Sequence, residues 1–303
     1  MYFSISFSLL LAFIISYFLF NILIRNNITF NLIAQPNDNT ITHVTPIPLI
    51  GGLGIFLGIV LPTLIFIDCG FPLKTYLAGL FPIAILGIYK DRFQSPLSPL
   101  IQLLVQTISS LVLYFHWAEI NHIEFHWISL GIFIIICCII MNAYNFIDVM
   151  DGLAGSYVLI VLIILGIGSI IHGNIQHIYI VFSFIGAIIA FLKFNWRPAK
   201  IFMGDLGSFG LVYSVLFILI LERPMESVST PLAYIFIFFL LILEFTFTIF
   251  KRVAKRASPL IGDGVHISTI LLKKGVKSEV IVICAIIITL ITNILALIYI
   301  KSI

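Results

Sequence analysis

The stretch ISLGIFIIICCIIMNAYNFIDVMDGLAG, Ile128 to Gly155, joins an apolar run to a polar one. Its first fourteen residues, Ile128 to Met141, carry no charge and lack the alternation of a half-buried strand. A run of about 20 mainly apolar residues can cross a bilayer core of roughly 30 Å as a helix. Two amides and two carboxylates follow directly. The segment therefore predicts a membrane-spanning helix that ends in a polar site.

The composition of the whole chain is that of a membrane protein. Of its 303 residues, 61% are hydrophobic and 10% are charged, which excludes an ordinary soluble domain. Only helices and closed barrels satisfy their backbones in lipid, so we predict an all-α polytopic membrane protein with about ten transmembrane helices in one domain over 1–303. The expected spans are 3–24, 48–67, 76–89, 99–115, 128–147, 156–171, 178–192, 207–221, 231–250 and 278–300.

The third span is the least regular of the ten, and the first has to be distinguished from a signal peptide. The third is short and contains Pro82, which lacks the N–H that a helix interior uses. The first lacks a basic leader and a small-residue cleavage site, so we expect a retained helix rather than a removed signal peptide.

Lys and Arg are unevenly divided between alternate loops. All of the 16 basic residues except Lys74, Arg223 and Lys301 fall on one side of the predicted spans. Cytoplasmic loops carry the excess of Lys and Arg. This side is therefore predicted to face the cytoplasm, with both termini outside. The net charge of +3 then reflects topology, and we expect no nucleic-acid partner.

The polar clusters fall in the loops assigned to the cytoplasm. They are 36–52, 90–93, 142–152, 195–208 and 251–266. Carboxylates, amides and cations from five loops can therefore converge, and we expect a catalytic cleft at the cytoplasmic face.

The chemistry of these clusters suits a diphosphate. Asn142, Asn145 and Asp148 are spaced by three residues and lie along one side if the helix continues. Mg²⁺ prefers oxygen ligands and is usually held by one or two carboxylates together with substrate phosphates. Gly204 and Gly207 flank Asp205, at a turn where backbone N–H groups could approach a phosphate closely.

Two motifs carry a family resemblance. They are Asn142-x-x-Asn145-x-x-Asp148-x-x-Asp151-Gly152 and Phe202-Met203-Gly204-Asp205-x-Gly207-Ser208, and the stretch with Pro36, Asn37, His43, Pro46, Pro48, Gly51 and Gly52 agrees with them. The chain resembles the polyprenyl-phosphate N-acetylhexosamine-1-phosphate transferases of glycosyltransferase family 4. The phrases YNFIDVMDGLAG and PAKIFMGD resemble the glycan-initiating branch more than the peptidoglycan branch.

The resemblance implies a reaction and a set of residues for it. Polyprenyl phosphate would attack the sugar-linked phosphorus of a UDP-N-acetylhexosamine, giving polyprenyl-diphosphate-sugar and UMP. Asp205 would hold Mg²⁺, or alternatively Mn²⁺, together with Asn145. The implied catalytic residues are Asp91, Asp148, Asp151, Asp205 and His266, and the implied substrate-binding residues are Lys90, Arg92, Asn142, Asn145, Lys200, Arg252 and Asp263. The resemblance also implies a location in a bacterial inner membrane, and it leaves open whether the protein forms a homodimer.

Several positions depart from the family pattern. Members have two adjacent Asp residues after the third span, where this chain has Lys90 and Asp91. Val149 replaces a Gly, and the last loop lacks part of its basic and His pattern around Asp263 and His266. Glu244 stands in the ninth span where an Asp is usual.

These departures leave two readings of the same site. In one, the protein is an active transferase, because a phosphate monoester has a second pKa of about 6 and is already largely ionised without a base. In the other, it is a catalytically degenerate homologue that binds lipid phosphate or nucleotide. A secondary transporter is the more distant alternative, with Glu244 as its one carboxylate inside a span.

Overall fold

The computed structural model describes residues 2–35, 45–66, 71–94, 97–171, 173, 177–221, 230–256 and 264–301, and these are almost entirely helical. The helices are α1 (Tyr2–Arg25), α2 (Gly51–Ile65), α3 (Leu73–Phe93), α4 (Pro99–Ile120), α5 (Trp127–Ile147), α6 (Leu153–Ile171), α7 (Ile178–Asn195), α8 (Gly204–Leu221), α9 (Thr230–Ile237), α10 (Phe239–Ala254), α11 (Ile267–Lys273) and α12 (Ser278–Lys301). Strands β1 (Ile33–Ala34) and β2 (Ile47–Pro48) form a short antiparallel ladder.

The prediction of an all-α polytopic membrane protein is confirmed. Within the described ranges, eight helices are long and apolar enough to cross a membrane. The second expected span is the shorter apolar helix α2, and the ninth is divided into α9 and α10 at Phe238. The third span is a continuous helix of 21 residues in spite of Pro82. Packing against neighbouring helices can compensate for the backbone bond that a proline removes.

Helix α8 lies at the centre of the bundle. Of the 18 residues of α8, 89% are buried, against 28% for the apolar 18-residue stretches of α1 and α12 at the periphery. A helix that is apolar all round belongs in the interior or in lipid. Because α8 begins at Gly204 and Asp205, the central helix presents the second sequence motif at its first turn.

The segment before α2 is joined to the segment before α8. The backbone N–H of Phe202 donates to Pro48, and the N–H groups of Gly51 and Gly52 donate to the carbonyls of Phe202 and Met203, at 2.8 to 2.9 Å. These bonds extend the ladder of β1 and β2 to the start of the central helix.

Two glycines make this approach feasible. A Cβ on Gly51 would lie 2.7 Å from the Phe202 carbonyl oxygen, and one on Gly52 would lie 2.4 Å from the Gly207 nitrogen. The Gly-Gly pair that ends the Pro36–Gly52 stretch is therefore explained by close backbone packing against α8. Residues 36–44 of that stretch, with Pro36, Asn37 and His43, lie outside the described residues.

Candidate active site

Asp91 closes the start of helix α8. Its Oδ1 accepts the backbone N–H of Asp205 at 2.7 Å, and its Oδ2 accepts that of Leu206 at 3.1 Å. The first N–H groups of a helix have no partner inside the helix, so this carboxylate supplies the missing acceptors. Asp91 is only 3% exposed.

Glycines allow α3 and α8 to meet at this point. A Cβ on Gly87, one turn before Asp91, would lie 2.4 Å from the Cα of Leu206. Gly204 has a φ of +75°, and a Cβ on it would lie 2.6 Å from Asp91 Oδ2. At this turn, where we expected backbone N–H groups to approach a phosphate, the N–H groups of Asp205 and Leu206 are bonded to Asp91 instead.

Lys90 is paired with the side chain of Asp205. Its Nζ lies 2.9 Å from Asp205 Oδ1 and 3.0 Å from Gln102 Oε1. It also lies 4.9 Å from the centroid of the Phe209 ring, which favours a cation over its face. The two paired side chains are about one-fifth exposed, at 19% for Lys90 and 22% for Asp205. Adjacent residues of α3 thus hold the backbone and the side chain of the same aspartate.

Asn145 reaches the same carboxylate from α5. Its Nδ2 donates to Asp205 Oδ1 at 3.1 Å and to Ser208 Oγ at 2.9 Å. The amide therefore orients Asp205 and a hydroxyl one turn further along α8. Three helices, α3, α5 and α8, meet at Asp205.

A chain of amides runs from Lys90 into the bundle. Gln102 donates through Nε2 to Asn142 Oδ1 at 2.7 Å, and Asn142 donates through Nδ2 to Gln106 Oε1 at 2.8 Å. The sequence analysis included Asn142 but missed both glutamines. Their spacing of four residues in the apolar span of α4 was an available signal, because polar side chains in such spans face the interior.

Asp148 lies just beyond the end of α5, as its C-cap residue. Because α5 ends at Ile147, the expected row of side chains along one side of the helix ends with Asn145 and the cap residue Asp148, and it does not reach Asp151. Burial, together with the negative charges of Asp205 and Asp91, raises the pKa of Asp148 to about 7. This carboxyl group therefore sits where negative charge is already in excess.

Asp151 belongs to the turn that leads into α6. Its Oδ2 accepts the backbone N–H of Ala199 at 3.1 Å. In the same turn, the N–H of Gly152, a residue with a φ of +78°, donates to Asn195 Oδ1 at 2.9 Å. Asp151 thus joins the first motif to the segment that precedes the second.

Glu244 and His266 form a buried pair beside α5. Glu244 Oε1 lies 3.1 Å from His266 Nδ1, and the carboxylate also accepts the backbone N–H of Ile267 at 3.2 and 3.3 Å and the Thr248 hydroxyl at 3.1 Å. A carboxylate can only accept, which places the imidazole proton on Nδ1. The ring of Phe146 lies 5.3 Å from that of His266.

The remaining predicted residues divide into two groups. Arg252 is 1% exposed, and its guanidinium lies 5.0 Å from the Phe146 ring, so it shares the wall that holds His266. Arg92 and Lys200 are exposed side chains at the same end of the bundle. Asp263 lies outside the described residues.

A family comparison covers this constellation. Residues 73–223 match the model of glycosyl transferase family 4. That range holds α3 to α8, with the Lys90, Asp91, Asn145 and Asp205 group. The chain belongs to glycosyl transferase family 4. The resemblance that the motifs carried is thereby confirmed.

Relatives of this family 4 chain match it over different lengths. It is 28% identical over 291 residues to the probable undecaprenyl-phosphate N-acetylglucosaminyl 1-phosphate transferase of Bacillus subtilis (strain 168), over 90% of this chain and 79% of the relative. It is 32% identical over 128 residues to the phospho-N-acetylmuramoyl-pentapeptide-transferase of Streptococcus pneumoniae (strain Taiwan19F-14), over 40% of this chain and 39% of the relative. The enzyme of that name from Lactococcus lactis subsp. cremoris (strain MG1363) is 37% identical over 120 residues, 36% of either chain.

The donor set of this family 4 site suits a divalent ion that is completed by substrate. Among the described residues, no three His, Cys, Asp or Glu side chains form a ready-made cage. Mg²⁺ does not need one, because it commonly takes one or two carboxylates and fills its shell with water and phosphate oxygens. Asp91 uses both oxygens for backbone N–H groups. Of Asp91 and Asp205, the carboxylate suited to an ion is therefore Asp205.

Proposed function

We propose that the chain transfers an N-acetylhexosamine-1-phosphate from a UDP-sugar to polyprenyl phosphate. This reaction class is supported by the similarity to a probable undecaprenyl-phosphate N-acetylglucosaminyl 1-phosphate transferase, which is 28% identical and aligns with 90% of this chain. The proposed products are polyprenyl-diphosphate-sugar and UMP. This transfer would be the first step in the synthesis of a cell-envelope glycan.

The convergence on Asp205 is the observation that carries this proposal. A carboxylate, an ammonium and an amide from α3 and α5 meet the first turn of the central helix. A phosphoryl transfer requires positioning and charge neutralisation more than covalent catalysis by side chains. A preorganised cluster of this kind, held by two helices on a third, meets that requirement.

The proposed reaction exchanges one phosphorus–oxygen bond for another. An oxygen of the lipid phosphate forms a bond to the sugar-linked phosphorus, and the bond from that phosphorus to the bridging oxygen of UMP breaks. The electron pair leaves with UMP. Because the lipid phosphate has a second pKa of about 6, most of it is ionised at neutral pH and no side chain has to remove a proton from it.

The side chains then have distinct proposed tasks. A bound Mg²⁺, or Mn²⁺, would neutralise diphosphate charge, held by Asp205 together with the amide oxygen of Asn145, and Asp148 would add a further carboxylate beside them. Asn145 orients the Asp205 carboxylate, and Asp91 holds the backbone on which that carboxylate stands. His266 and Arg252, on the wall formed by Phe146, would face the anionic part of the nucleotide.

The proposed site faces the cytoplasm, where UDP-sugars are available. Asp91, Asp205, Asn145 and His266 lie at one end of the bundle, as their contacts require. The excess of Lys and Arg in the loops of that end supports its assignment to the cytoplasmic side.

A catalytically degenerate homologue is the second candidate, and Lys90 is the observation that favours it. Its ammonium lies on the carboxylate that is proposed to hold the metal. The transporter alternative loses its main support, because Glu244 is bonded to His266 beside the cluster.

Purified protein in detergent or nanodiscs tests the function directly. It is incubated with undecaprenyl phosphate, Mg²⁺ and a panel of UDP-N-acetylhexosamines, and UMP release is measured. We expect transfer by the wild type and a loss of about 10²-fold or more in Asp205→Asn. Glu119→Gln is the matched control, because that carboxylate is 81% exposed near the opposite end of α4. Absence of UMP with every sugar nucleotide would support the degenerate homologue.

A further inference from the structure

The ammonium of Lys90 is held by a hydrogen bond and an aromatic ring as well as by an ion pair. Its Nζ contacts Asp205 Oδ1 at 2.9 Å and Gln102 Oε1 at 3.0 Å, with the Phe209 ring beneath it. Ion pairs between exposed side chains contribute little because both partners are hydrated and mobile. This pair is about four-fifths covered and has a second oxygen ligand, so the ammonium has a defined position.

The amide chain explains why that position is defined. Gln102 donates to Asn142, which donates to Gln106 and to the Cys138 carbonyl oxygen at 2.7 Å. Gln102 and Asn142 thus both use the amide nitrogen toward the interior of the bundle. The oxygen of Gln102 is thereby left pointing at Lys90, where only a donor fits. The chain of amides thus creates a cation site at the end nearest Asp205.

We propose that Lys90 is a tethered cation that competes with a divalent ion for Asp205 and weakens metal binding to the substrate-free protein. Lys90 occupies Asp205 Oδ1, and an ammonium 2.9 Å from that oxygen repels a metal ion that approaches either oxygen of the same carboxylate. The inference deepens the proposed function of this site and rests on it for the identity of the metal-binding carboxylate.

A diphosphate would relieve the competition. The lysine side chain is a flexible stem with a compact charge, and it can exchange Asp205 for a phosphate oxygen nearby. Asp205 is then released to the metal while the phosphate gains the ammonium. Metal and diphosphate are therefore expected to bind with positive coupling, each raising the affinity of the other by the same factor.

Metal binding in the absence of substrate tests the competition. Mn²⁺ is titrated into the full-length wild type, Lys90→Gln and Lys90→Arg, and the free ion is measured by electron paramagnetic resonance. Lys90→Gln retains N–H donors but loses the charge, and it should bind Mn²⁺ at least about tenfold more tightly than the wild type. Lys90→Arg should bind as weakly as the wild type. Lys193→Met is the control, since that ammonium lies 5.4 Å from the Tyr17 ring centroid, and it should change nothing.

Uridine diphosphate serves as the probe for the second half of the proposal. With uridine diphosphate present, the Mn²⁺ affinities of wild type and Lys90→Gln are compared at the same free Mn²⁺ concentration, which removes the effect of Mn²⁺ bound to the nucleotide itself. The difference in Mn²⁺ affinity between the two proteins should narrow to about twofold or less, because the ammonium then has a phosphate partner. An undiminished difference would contradict release by the diphosphate.

Two results overturn the competition itself. One is equal Mn²⁺ affinity in wild type and Lys90→Gln, and the other is equal tightening in Lys90→Gln and Lys90→Arg. If Lys90→Gln does not fold, Lys90→Met is used with the same criteria. The Mn²⁺ titration needs no turnover, so it can show the competition even if the protein does not catalyse the transfer. If the protein is active but the titration shows no competition, the proposed function stands and only the role of Lys90 is rejected.

Discussion

Asp91 accepts the backbone N–H of Asp205 at 2.7 Å, although 114 residues separate the two aspartates. The contact fixes the start of the central helix to the end of α3. Since Lys90 binds the side chain of the same aspartate, the two neighbours determine both where Asp205 stands and what it pairs with. The position of one carboxylate thus depends on a helix that is far away in sequence.

Asp91→Asn should destabilise the protein by about 1–3 kcal/mol, because an amide offers one acceptor where the carboxylate offers two, and a buried N–H of α8 is left unpaired. The loss is measured as a lower midpoint of thermal unfolding in the same detergent. Glu119→Gln, at an exposed carboxylate, should unfold at the wild-type temperature. An unchanged midpoint in Asp91→Asn would show that the cap is dispensable.

Gly52→Ala should also destabilise, by about 1–3 kcal/mol, because overpacking forces the surrounding backbone to move. The added Cβ would lie 2.4 Å from the Gly207 nitrogen. UMP release should fall as well, since Gly207 belongs to the first turns of α8. Gly131→Ala is the matched control, because a Cβ there meets nothing within 4 Å. If both variants unfold alike, helix propensity rather than close packing governs Gly52.

Glu244→Gln should lower the turnover number about tenfold with a smaller effect on the Michaelis constant, by the loss of orientation of His266. The carboxylate accepts from the imidazole, a backbone N–H and a hydroxyl, and an amide nitrogen cannot replace an accepting oxygen. Glu279→Gln, at an exposed acid near Arg197, is the control. A wild-type turnover number in Glu244→Gln would remove the pair from the reaction.

The orientation can be tested by labelling single cysteines from either side of the membrane. In a cysteine-free background, Cys at the exposed Lys200 and Lys274 should react only when the cytoplasmic side is accessible, as in inverted vesicles. Cys at the exposed Glu124, in the turn between α4 and α5, should react in intact cells. Labelling of Lys200→Cys from outside would overturn both the orientation and the cytoplasmic site.

The helices could be predicted closely because their signal is local. The fifth expected span, 128–147, differs by one residue from α5. The fourth was expected to end at 115 but continues to Ile120, since hydropathy marks the lipid-facing part and hydrogen bonds continue beyond it. The division of the ninth span at Phe238 could not be predicted from the sequence, because neither Pro nor Gly stands at that position.

By itself, the amino-acid sequence determined the all-helical membrane fold, the family and the residue types of the site. Long apolar runs leave the backbone no alternative in lipid, and the two motifs are contiguous in the chain. Only the tertiary structure decided what each polar group does: Asp91 caps α8, Lys90 lies on Asp205, and Glu244 holds His266. These pairings depend on how each helix is rotated against its neighbours. That rotation is set by packing, such as the glycine contacts of α2 and α3 with α8, between residues distant in sequence.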